Sequence, residues 1–234
     1  MKIYMMPQYS GAWWAIRRGR PTASAFERII TSGGKKGTPK YSEQSADYAA
    51  ELIGDMVSLT PPFFSEQSNG RNTPAMQAGI DTEPEARRFY AMDSGNEVRE
   101  VGFCMSDDGR YGCSPDGLIG LKLTGDLEPF EGFNAYEGTC DGVLELKCPL
   151  LKTQSKYLLE GGLPPDYRAQ VHGHLIVTGS KWVDFVSYSQ NLPALRVRVE
   201  PDDYTGLLKK ALDQFWDYYS LALAKMKVLA GGEP

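Results

Sequence analysis

The sequence predicts an α/β protein, a single domain in which a central mixed β-sheet is flanked by helices. Its 234 residues suffice for one domain with a full core, and 41% hydrophobic and 24% charged residues are ordinary proportions for a globular protein. Apolar residues recur at helical spacing early in the chain, strand-like segments fill the middle, and an amphipathic segment comes last. This helix–sheet–helix order favours an α/β or α+β arrangement over a β-sandwich.

Two short helices are expected near the N-terminus. The first covers residues 11–20, and the second runs to Ile30 from a side-chain cap supplied by Thr22 or Ser24. Residues 32–38, rich in Gly and Lys, are expected to form a loop.

Two longer helices are expected next. Apolar residues at helical spacing predict one over residues 42–57 and another over 75–92, which Gly79 or Pro84 could break. Between them, residues 60–72 are rich in Pro, Gly, Ser and Asn and are predicted to be a mobile loop.

Strand-like alternation dominates the middle of the chain. The predicted strands there are 97–105, 111–113, 118–123 and 143–147. An acidic, aromatic segment, about 123–141, separates the last two and is expected to be an inserted loop or hairpin.

The final third of the chain returns to helices. A helix is expected over residues 167–178, followed by strands over 182–189 and 195–199. A long amphipathic helix is expected within the C-terminal segment 201–234.

The net charge of −5 hides an uneven distribution. Residues 1–41 carry eight basic side chains and one acidic side chain, a net charge of +7, which leaves −12 for the rest of the chain. Such asymmetry favours a local basic face on an acidic body. A solvated surface without a binding role is the alternative.

Composition also argues against several classes of protein. No apolar run approaches the roughly 20 residues that span a bilayer, and residues 1–10 lack the pattern of a signal peptide. The four cysteines have no CxxC spacing. We therefore expect free thiols in a reducing cytoplasm and no zinc site.

Two short motifs carry the chemistry, Ser-Pro-Asp-Gly at 114–117 and Leu-Glu-Leu-Lys at 144–147. Hydrolysis of a phosphodiester requires stabilised charge on phosphorus and a hydroxide at neutral pH, and divalent cations supply both. Mg²⁺ prefers oxygen ligands, which Asp116, Glu145 and the backbone carbonyl of Leu146 can provide. The sequence therefore predicts a magnesium site that cuts phosphodiester bonds.

Lys147 completes this predicted site. On a strand, Glu145 and Lys147 project from the same face, so the lysine can orient the attacking water or help it lose a proton. The alternative is a hairpin turn at Asp116 and an exposed ion pair between Glu145 and Lys147. The apolar neighbours Val143, Leu144 and Leu146 argue against it, because a covered strand makes unpaired charges costly.

At this point the chain resembles the phage lambda-type exonucleases, the YqaJ-like viral recombinases of the PD-(D/E)XK nuclease superfamily. The resemblance covers most of the chain, and its motifs occur in the expected order. They are Arg17 with Thr22-Ala23-Ser24; Ala75-Met76 with Gly79, Glu83, Ala86 and Tyr90; Ser114-Pro115-Asp116-Gly117; Leu144 to Pro149; and Tyr167 with Ala169-Gln170-Val171, Val177-Thr178-Gly179 and Trp182. The resemblance implies a PD-(D/E)XK nuclease-like core.

The resemblance implies catalytic roles residue by residue. Asp116, Glu145 and the Leu146 carbonyl look like metal ligands, and Glu83 looks like a further acidic residue that acts through water or positions the nucleophile. Lys147 looks like the catalytic lysine. Gln170 looks like the helix residue that contacts the lysine, the water or the scissile phosphate. Read without the resemblance, Glu83 and Gln170 would be surface residues.

It also implies a pocket for a terminal 5′-phosphate, formed by Arg17, Thr22, Ser24 and Ser114, in agreement with the basic N-terminal region. The alternative for Thr22 and Ser24 is helix capping alone. The family often places an arginine shortly after the catalytic lysine, and here Lys152 lies near that position and could substitute, although it lacks a bidentate fork.

The activity that the resemblance implies is a Mg²⁺-dependent 5′→3′ exonuclease, with Mn²⁺ able to substitute and two ions per active site. Its substrate would be linear double-stranded DNA, which it would degrade to mononucleotides while leaving a 3′ single-stranded tail. The implied partners are two further copies in a ring-shaped homotrimer and a single-strand annealing protein. The implied location is the cytoplasm of a bacterial host, with a phage or prophage as the source.

Trp13 or Trp14, or aromatic residues in the 60–72 loop, could wedge open the duplex end.

Asp116 and Glu145 are 29 positions apart, more than the compact family pattern leads us to expect, and the acidic segment between them is expected to contact a neighbouring subunit or partner rather than DNA. His172 and His174 stand at i and i+2 on a predicted helix and so face different directions. They are expected to be structural or surface residues rather than a metal pair.

Two other functions remain open at this point. One is a structure-specific endonuclease of the same superfamily, which would cut closed circular DNA. The other is a non-catalytic scaffold that binds DNA ends during recombination, against which the intact set of chemical residues argues. The direction of cleavage and the trimer rest on the resemblance alone.

Overall fold

The computed structural model describes residues 1–30, 42–57 and 74–231. Its helices are α1 Gly11–Arg17, α2 Glu27–Ile30, α3 Glu43–Val57, α4 Pro74–Ser94, α5 Leu151–Glu160, α6 Arg168–Thr178 and α7 Asp203–Leu229, with short 3-10 helices at Ala23–Ala25 and Pro165–Tyr167. Its strands are β1 Lys2–Tyr4, β2 Val98–Arg99, β3 Phe103–Met105, β4 Gly112–Cys113, β5 Gly117–Ile119, β6 Lys122–Phe130, β7 Phe133–Thr139, β8 Gly142–Lys147, β9 Trp182–Ser189 and β10 Leu192–Val199.

A mixed sheet, in the order β10-β9-β8-β5-β2, carries the residues of chemical interest. Strands β8 and β9 pair in parallel, and the other neighbours in this sheet are antiparallel. The crossover from β8 to β9 contains α5 and α6, as parallel pairing requires a long connection. The mixed sheet with flanking helices confirms the predicted α/β class.

A second sheet, in the order β4-β3-β1-β7-β6, is entirely antiparallel. The predicted inserted segment 123–141 lies mostly within the β6–β7 hairpin of this sheet, so the hairpin alternative is the observed one. The predicted strand 97–105 is divided into β2 and β3, which belong to different sheets.

The main core packs helices α2, α3, α6 and α7 against both sheets, with Val143 from the mixed sheet and Ile3 from the antiparallel sheet among its members. On α7 the fully buried residues are Leu208, Leu212, Phe215 and Tyr219, at the spacing of one helix face. The Phe215 ring stacks on Tyr48 of α3 with 5.8 Å between centroids. The start of α7 is fixed by a capping box between Asp202 and Thr205.

Glycine at position 117 allows β5 and β2 of the mixed sheet to approach each other. A Cβ there would lie 2.2 Å from Cγ1 of Val98 on β2, closer than packed atoms allow. Gly117 therefore begins β5 in contact with β2, and Asp116 is held directly before Gly117.

Helix α4 runs without a break through Pro84, contrary to the break that the sequence suggested.

The predicted loops 32–38 and 60–72 lie outside the described residues, as do the aromatic side chains of the second loop that were considered as a wedge. All four cysteines are free, as predicted. No helix in the described ranges is long and apolar enough to cross a membrane. That residues 1–234 make up one exonuclease domain stays a prediction.

Candidate active site

Asp116 and Glu145 come together because β5 and β8 are antiparallel neighbours. Gly117, the first residue of β5, pairs with Leu144 on β8, which places Asp116 beside the end of that strand. The Asp116 backbone N–H donates to the Leu144 carbonyl at 3.1 Å, and the Leu146 backbone N–H donates to the Asp116 carboxylate at 2.5 Å. Two motifs that are distant in sequence thus form one local unit.

Three side chains hold the Glu145 carboxylate. Nζ of Lys147 and Nε2 of Gln170 donate to Oε1 at 2.5 and 2.6 Å, and Nε2 of His174 lies 2.8 Å from Oε2. Glu145 is only 1% exposed, which rules out the exposed ion pair considered above. A carboxylate oxygen can accept about two hydrogen bonds, so Oε2 retains an acceptor position.

These groups open into a cavity of about 220 Å³. The members of the predicted catalytic and metal-binding set that line it are Glu83, Asp116, Glu145, Leu146, Lys147 and Gln170. Helix α4 brings Glu83 to the cavity and α6 brings Gln170. The structure therefore gathers every residue of that set in one place, and their catalytic roles stay predictions.

The charges in this cavity do not balance. Burial, and then the carboxylate of Glu145, raises the pKa of Asp116 well above its usual value, although Lys147 opposes the shift. Burial also acts to raise the pKa of Glu145, but the Lys147 ammonium and His174 outweigh it and lower that pKa. Burial raises the pKa of Glu83 against the opposing charges of Lys147 and Arg87. Three carboxylates thus lie near Lys147, with Arg87 acting on Glu83 and His174 on Glu145, and an additional cation would favour their ionised forms.

The donor chemistry fits Mg²⁺. Among the described residues, no three His, Cys, Asp or Glu side chains lie close enough to enclose a metal by themselves. Mg²⁺ does not need such a cage, because it keeps several waters and binds proteins through one or two carboxylates. Asp116, Glu145 and the Leu146 carbonyl would hold it, and Glu83 would act through water.

Four of the five predicted phosphate-binding residues, Arg17, Thr22, Ser24 and Ser114, line the same cavity. The Arg17 guanidinium donates to Ser114 Oγ at 3.1 Å and to Thr22 Oγ1 at 3.2 Å, and Thr22 Oγ1 lies 3.4 Å from Ser24 Oγ. The Arg17 guanidinium carbon also lies 4.2 Å from the centre of the Trp13 ring. One arginine and three hydroxyls therefore form a compact set of donors.

Arg17 lacks a compensating negative charge. Across the described ranges its side-chain partners are hydroxyls and an aromatic face, with no carboxylate. Burial lowers the pKa of Arg17, yet an arginine starts so high that it remains charged at neutral pH. A partly buried cation without a counter-ion is suited to an anionic ligand.

Lys152 does not join this pocket. It lies exposed on α5 and does not line the cavity. Any contact that it makes with DNA would lie outside the enclosed site.

His174 is the residue that sequence reasoning missed. It was expected to be structural or at the surface, but it is fully buried, lines the cavity and contacts Glu145. The available signal was its position four residues after Gln170, which places both side chains on one face of α6. His172 fulfils the structural expectation, because its Nδ1 lies 2.8 Å from Thr205 Oγ1 at the start of α7.

Arg87 was also missed, and Trp13 was considered only as a wedge at the duplex end; the structure shows that each supports one half of the site. Arg87 Nε donates to the Asp116 carbonyl at 2.9 Å and so ties α4 to the segment before β5. Trp13 Nε1 donates to Ser114 Oγ at 2.8 Å and to the Gly102 carbonyl at 3.1 Å. Neither contact can be read from a linear pattern.

Comparison with solved structures gives two informative relatives. The alkaline exonuclease LHK-Exo from Laribacter hongkongensis is 27% identical, has a TM-score of 0.71, and is matched over 95% of this chain and 98% of that one. Its complex with dAMP gives a TM-score of 0.73 at the same identity and coverage. A phage-related exonuclease from Haemophilus somnus 129PT, 11% identical with a TM-score of 0.58 over 88% and 96% of the two chains, shows the likeness of fold alone.

Comparison with curated proteins found no match. Among protein families, the model of the YqaJ-like viral recombinase domain matches residues 12–181, which is most of the chain. That range contains every predicted catalytic and phosphate-binding residue. The PD-(D/E)XK-like fold and the resemblance noted in the sequence are thereby confirmed, and the chain belongs to the YqaJ-like viral recombinase domain family.

Proposed function

We propose that this protein is a Mg²⁺-dependent exonuclease that degrades one strand of linear double-stranded DNA in the 5′→3′ direction. It releases mononucleotides and leaves a 3′ single-stranded tail for homologous recombination by strand annealing. The observation that carries the proposal is that a carboxylate–lysine cluster and an anion pocket share one cavity of about 220 Å³. The cluster suits phosphodiester hydrolysis, and the pocket suits a phosphate at a chain end.

The charge of Arg17 favours a terminal phosphate over a phosphate within a strand. An internal phosphodiester carries one negative charge, whereas a phosphate monoester carries about −1.5 to −2 at neutral pH and offers three acceptor oxygens. The planar fork of Arg17 and the hydroxyls of Thr22, Ser24 and Ser114 can satisfy those additional acceptors. A DNA end with a 5′-phosphate therefore fits this pocket better than the middle of a strand.

The reaction would take place between Asp116, Glu145 and Lys147. Bound Mg²⁺ supplies a water of lowered pKa and positive charge near the phosphoryl oxygens. Burial acts to lower the pKa of Lys147, but the carboxylates of Glu145 and Asp116 raise it, so the lysine is charged at neutral pH. A charged lysine donates hydrogen bonds, so Lys147 orients the nucleophile and stabilises the developing negative charge rather than taking a proton.

The remaining residues keep this arrangement fixed. Gln170 donates to Glu145 Oε1, the same oxygen that accepts from Lys147, and therefore limits rotation of the carboxylate. Glu83 faces the cavity from α4 and can hold a water. Preorganised groups of this kind lower the cost of rearrangement during the reaction.

The relatives support the choice of substrate. LHK-Exo, an alkaline exonuclease, has been solved with dAMP, a mononucleotide of the kind that the proposed reaction releases. The likeness at 27% identity extends over nearly the whole of both chains.

The proposal extends to assembly and partners. Contacts with phosphates would be independent of sequence, so affinity for DNA ends should fall as salt rises. We further propose a ring-shaped homotrimer around the duplex, a single-strand annealing protein as partner, and action in the cytoplasm of a bacterial host. Light scattering after gel filtration tests the trimer, which predicts a mass three times the 25.9 kDa of one chain.

End-labelled linear duplex DNA tests the central proposal. The substrates carry a label at one 5′ or one 3′ terminus and end in a 5′-phosphate or a 5′-hydroxyl. Release is followed with Mg²⁺, with EDTA, and with the Lys147→Ala and Lys156→Ala variants. Lys156 pairs with Glu160 on exposed α5 and serves as the matched control.

The expected result is early release of the 5′ label, faster with a 5′-phosphate, dependent on Mg²⁺, and about 10²–10³-fold slower with Lys147→Ala alone. Early release of the 3′ label would overturn the direction. Cleavage of closed circular DNA would favour an endonuclease. Binding of DNA ends without any product would favour a non-catalytic scaffold.

A further inference from the structure

Tyr9 has a backbone conformation that needs an explanation. Its φ of 63° lies in the left-handed region, which large side chains rarely adopt, and Glu131 is the other non-glycine residue in that region among those described. Such conformations persist where surrounding contacts enforce them, and they cluster at functional sites.

The residues on either side of Tyr9 are anchored. Gln8 Nε2 donates to the Pro115 carbonyl at 3.0 Å, next to Asp116. Ser10 Oγ donates to the Pro7 carbonyl at 2.7 Å and accepts from the Trp13 backbone N–H at 3.2 Å, which caps α1. Tyr9 is therefore held in place from both sides.

The side chain of Tyr9 is nevertheless 53% exposed. Its ring lines the catalytic cavity and contacts the Trp13 ring, with 5.1 Å between centroids and 45° between planes. Trp13 is in turn fixed by Ser114 and lies under Arg17. An aromatic surface is thus fixed relative to the phosphate pocket.

A second cavity of about 520 Å³ begins at the same ring. Tyr9, Glu83 and Asp116 line both cavities, and Met5 and Val101 add apolar surface to the larger one. Glu100 and Arg87 also line the larger cavity, so its wall is partly charged. Its apolar part, beside the phosphate pocket, suits the flat, weakly polar body of a nucleobase.

We propose that Tyr9 is a stacking platform for the base of the 5′-terminal nucleotide, which leaves the duplex and lies at the mouth of the larger cavity. The inference rests on the proposed function, because it takes the terminal phosphate to lie at Arg17. The Arg17–Trp13–Tyr9 series of ring contacts links that phosphate to the base of the same nucleotide. Aromatic stacking accepts any base, as a sequence-independent nuclease requires.

The test is a thermodynamic cycle that removes the aromatic ring of Tyr9, the base of the 5′-terminal nucleotide, or both. Linear duplex DNA carries either a normal 5′-terminal nucleotide or an abasic analogue with its phosphate intact. The proteins are wild type, Tyr9→Ala, Tyr9→Phe and Phe89→Ala. Phe89 packs against Tyr188 on a different surface and is the matched aromatic control. The initial rate of release at limiting DNA is measured for each combination.

On the normal end, Tyr9→Ala should lower the rate about tenfold, while Tyr9→Phe and Phe89→Ala stay within about twofold of wild type. On the abasic end, Tyr9→Ala and wild type should agree within about twofold, because the base is already absent. An equal loss on both ends would overturn the proposal, and so would a loss with Tyr9→Phe as large as with Tyr9→Ala.

An equilibrium measurement separates this inference from the proposed function. Duplex DNA with 2-aminopurine as the 5′-terminal base is titrated with Lys147→Ala protein that carries Tyr9, Tyr9→Phe or Tyr9→Ala. Stacking predicts that the proteins with Tyr9 and Tyr9→Phe quench the 2-aminopurine fluorescence. The Tyr9→Ala protein should need a concentration about tenfold higher for the same quenching. Quenching that is unchanged in Tyr9→Ala would overturn the platform even if the wild-type protein proves to be an exonuclease. A wild-type protein without cleavage that still quenches through Tyr9 would overturn the activity alone.

Discussion

Nε2 of His174 lies 2.8 Å from Oε2 of Glu145, and both side chains are buried. This contact lies on the side of the carboxylate opposite to Lys147 and Gln170, which both donate to Oε1. If Glu145 binds Mg²⁺, as we propose, residues that hold it in this way set its orientation and its affinity for the metal.

Replacement of His174 should therefore weaken the metal site. We expect His174→Ala to raise the Mg²⁺ concentration needed for half-maximal activity about 10–100-fold. His174→Gln, which can still donate to Glu145, should recover most of the loss. His172→Ala is the control, because its contact with Thr205 affects the packing of α7 and not the cavity. An unchanged Mg²⁺ requirement in His174→Ala would contradict this role.

Asp116→Asn should abolish cleavage and yet stabilise the metal-free protein. The amide keeps an oxygen that can accept from the Leu146 N–H, while one of the carboxylate charges beside Glu145 is removed. We expect a rise in melting temperature of about 2–4 °C, which corresponds to about 1 kcal/mol for a domain of this size. Asp141→Asn, at an exposed ion pair with Lys181, should bring no such gain. A fall in melting temperature on Asp116→Asn would show that the charge stabilises the fold.

The raised pKa of Asp116 also predicts a pH dependence. The folded protein binds this proton more tightly than the unfolded chain does, in which Asp titrates near about 3.9. Its stabilising contribution is full below that pH and is lost as pH rises through the folded pKa. Mg²⁺ favours the ionised form, so its affinity should increase with pH and its binding should release protons. Calorimetry in buffers of different ionisation enthalpy measures both the affinity for Mg²⁺ and the number of protons released. If the affinity does not change between mildly acidic and mildly alkaline pH, the prediction is refuted.

Arg17 should control the preference for a 5′-phosphate. Hydrogen bonds to charged groups contribute about 1.5–3 kcal/mol, so Arg17→Ala should reduce that preference about 10–100-fold. Arg17→Lys should recover only part of it, because an ammonium lacks the fork that reaches two oxygens. Competition between 5′-phosphate and 5′-hydroxyl ends gives the ratio directly. Arg196→Ala, at an exposed pair with Asp93, is the control. A full preference in Arg17→Ala would place the phosphate elsewhere.

Gly117→Ala should destabilise the protein through β2. The added methyl group would meet Cγ1 of Val98 at 2.2 Å, and such overpacking costs about 1–3 kcal/mol. Val98→Ala should rescue much of the loss in the double variant, as thermal melting can show. Gly125→Ala on β6 is the control, because its nearest contact would be an ordinary 3.7 Å. Absence of rescue would mean that the strain lies in the backbone and not at Val98.

Sequence reasoning succeeded where a signal was local. Glu145 and Lys147 lie in a short motif on β8, Asp116 lies in one directly before β5, and the apolar setting of Glu145 correctly indicated burial. It failed for β1, whose three residues are too few to show alternation, and for the strand predicted over 97–105. That segment changes sheets near Gly102, where a Cβ would lie 2.1 Å from the Met6 carbonyl oxygen, and this contact is remote in sequence.

The other omissions have the same physical origin. His174 and Arg87 act through partners 29 residues away, and only the pairing of β5 with β8 and the packing of α4 make those contacts visible. The φ of Tyr9 depends on anchors at Pro7, Pro115 and Trp13 and leaves no mark in composition. Motifs predicted which groups react, and tertiary contacts determine how they are held.

The β6–β7 hairpin has a consequence for solubility. Among the strands that the structure describes, β6 is an edge of its sheet. A free edge can recruit a strand from another molecule and begin aggregation. Here that edge carries exposed Lys122, Asp126 and Glu128, a proline at position 129, and two irregularities in its register with β7. Charges, proline and bulges all oppose the addition of another strand. Molecules crowded onto one DNA could then touch through side chains of this hairpin without joining their sheets into a fibril.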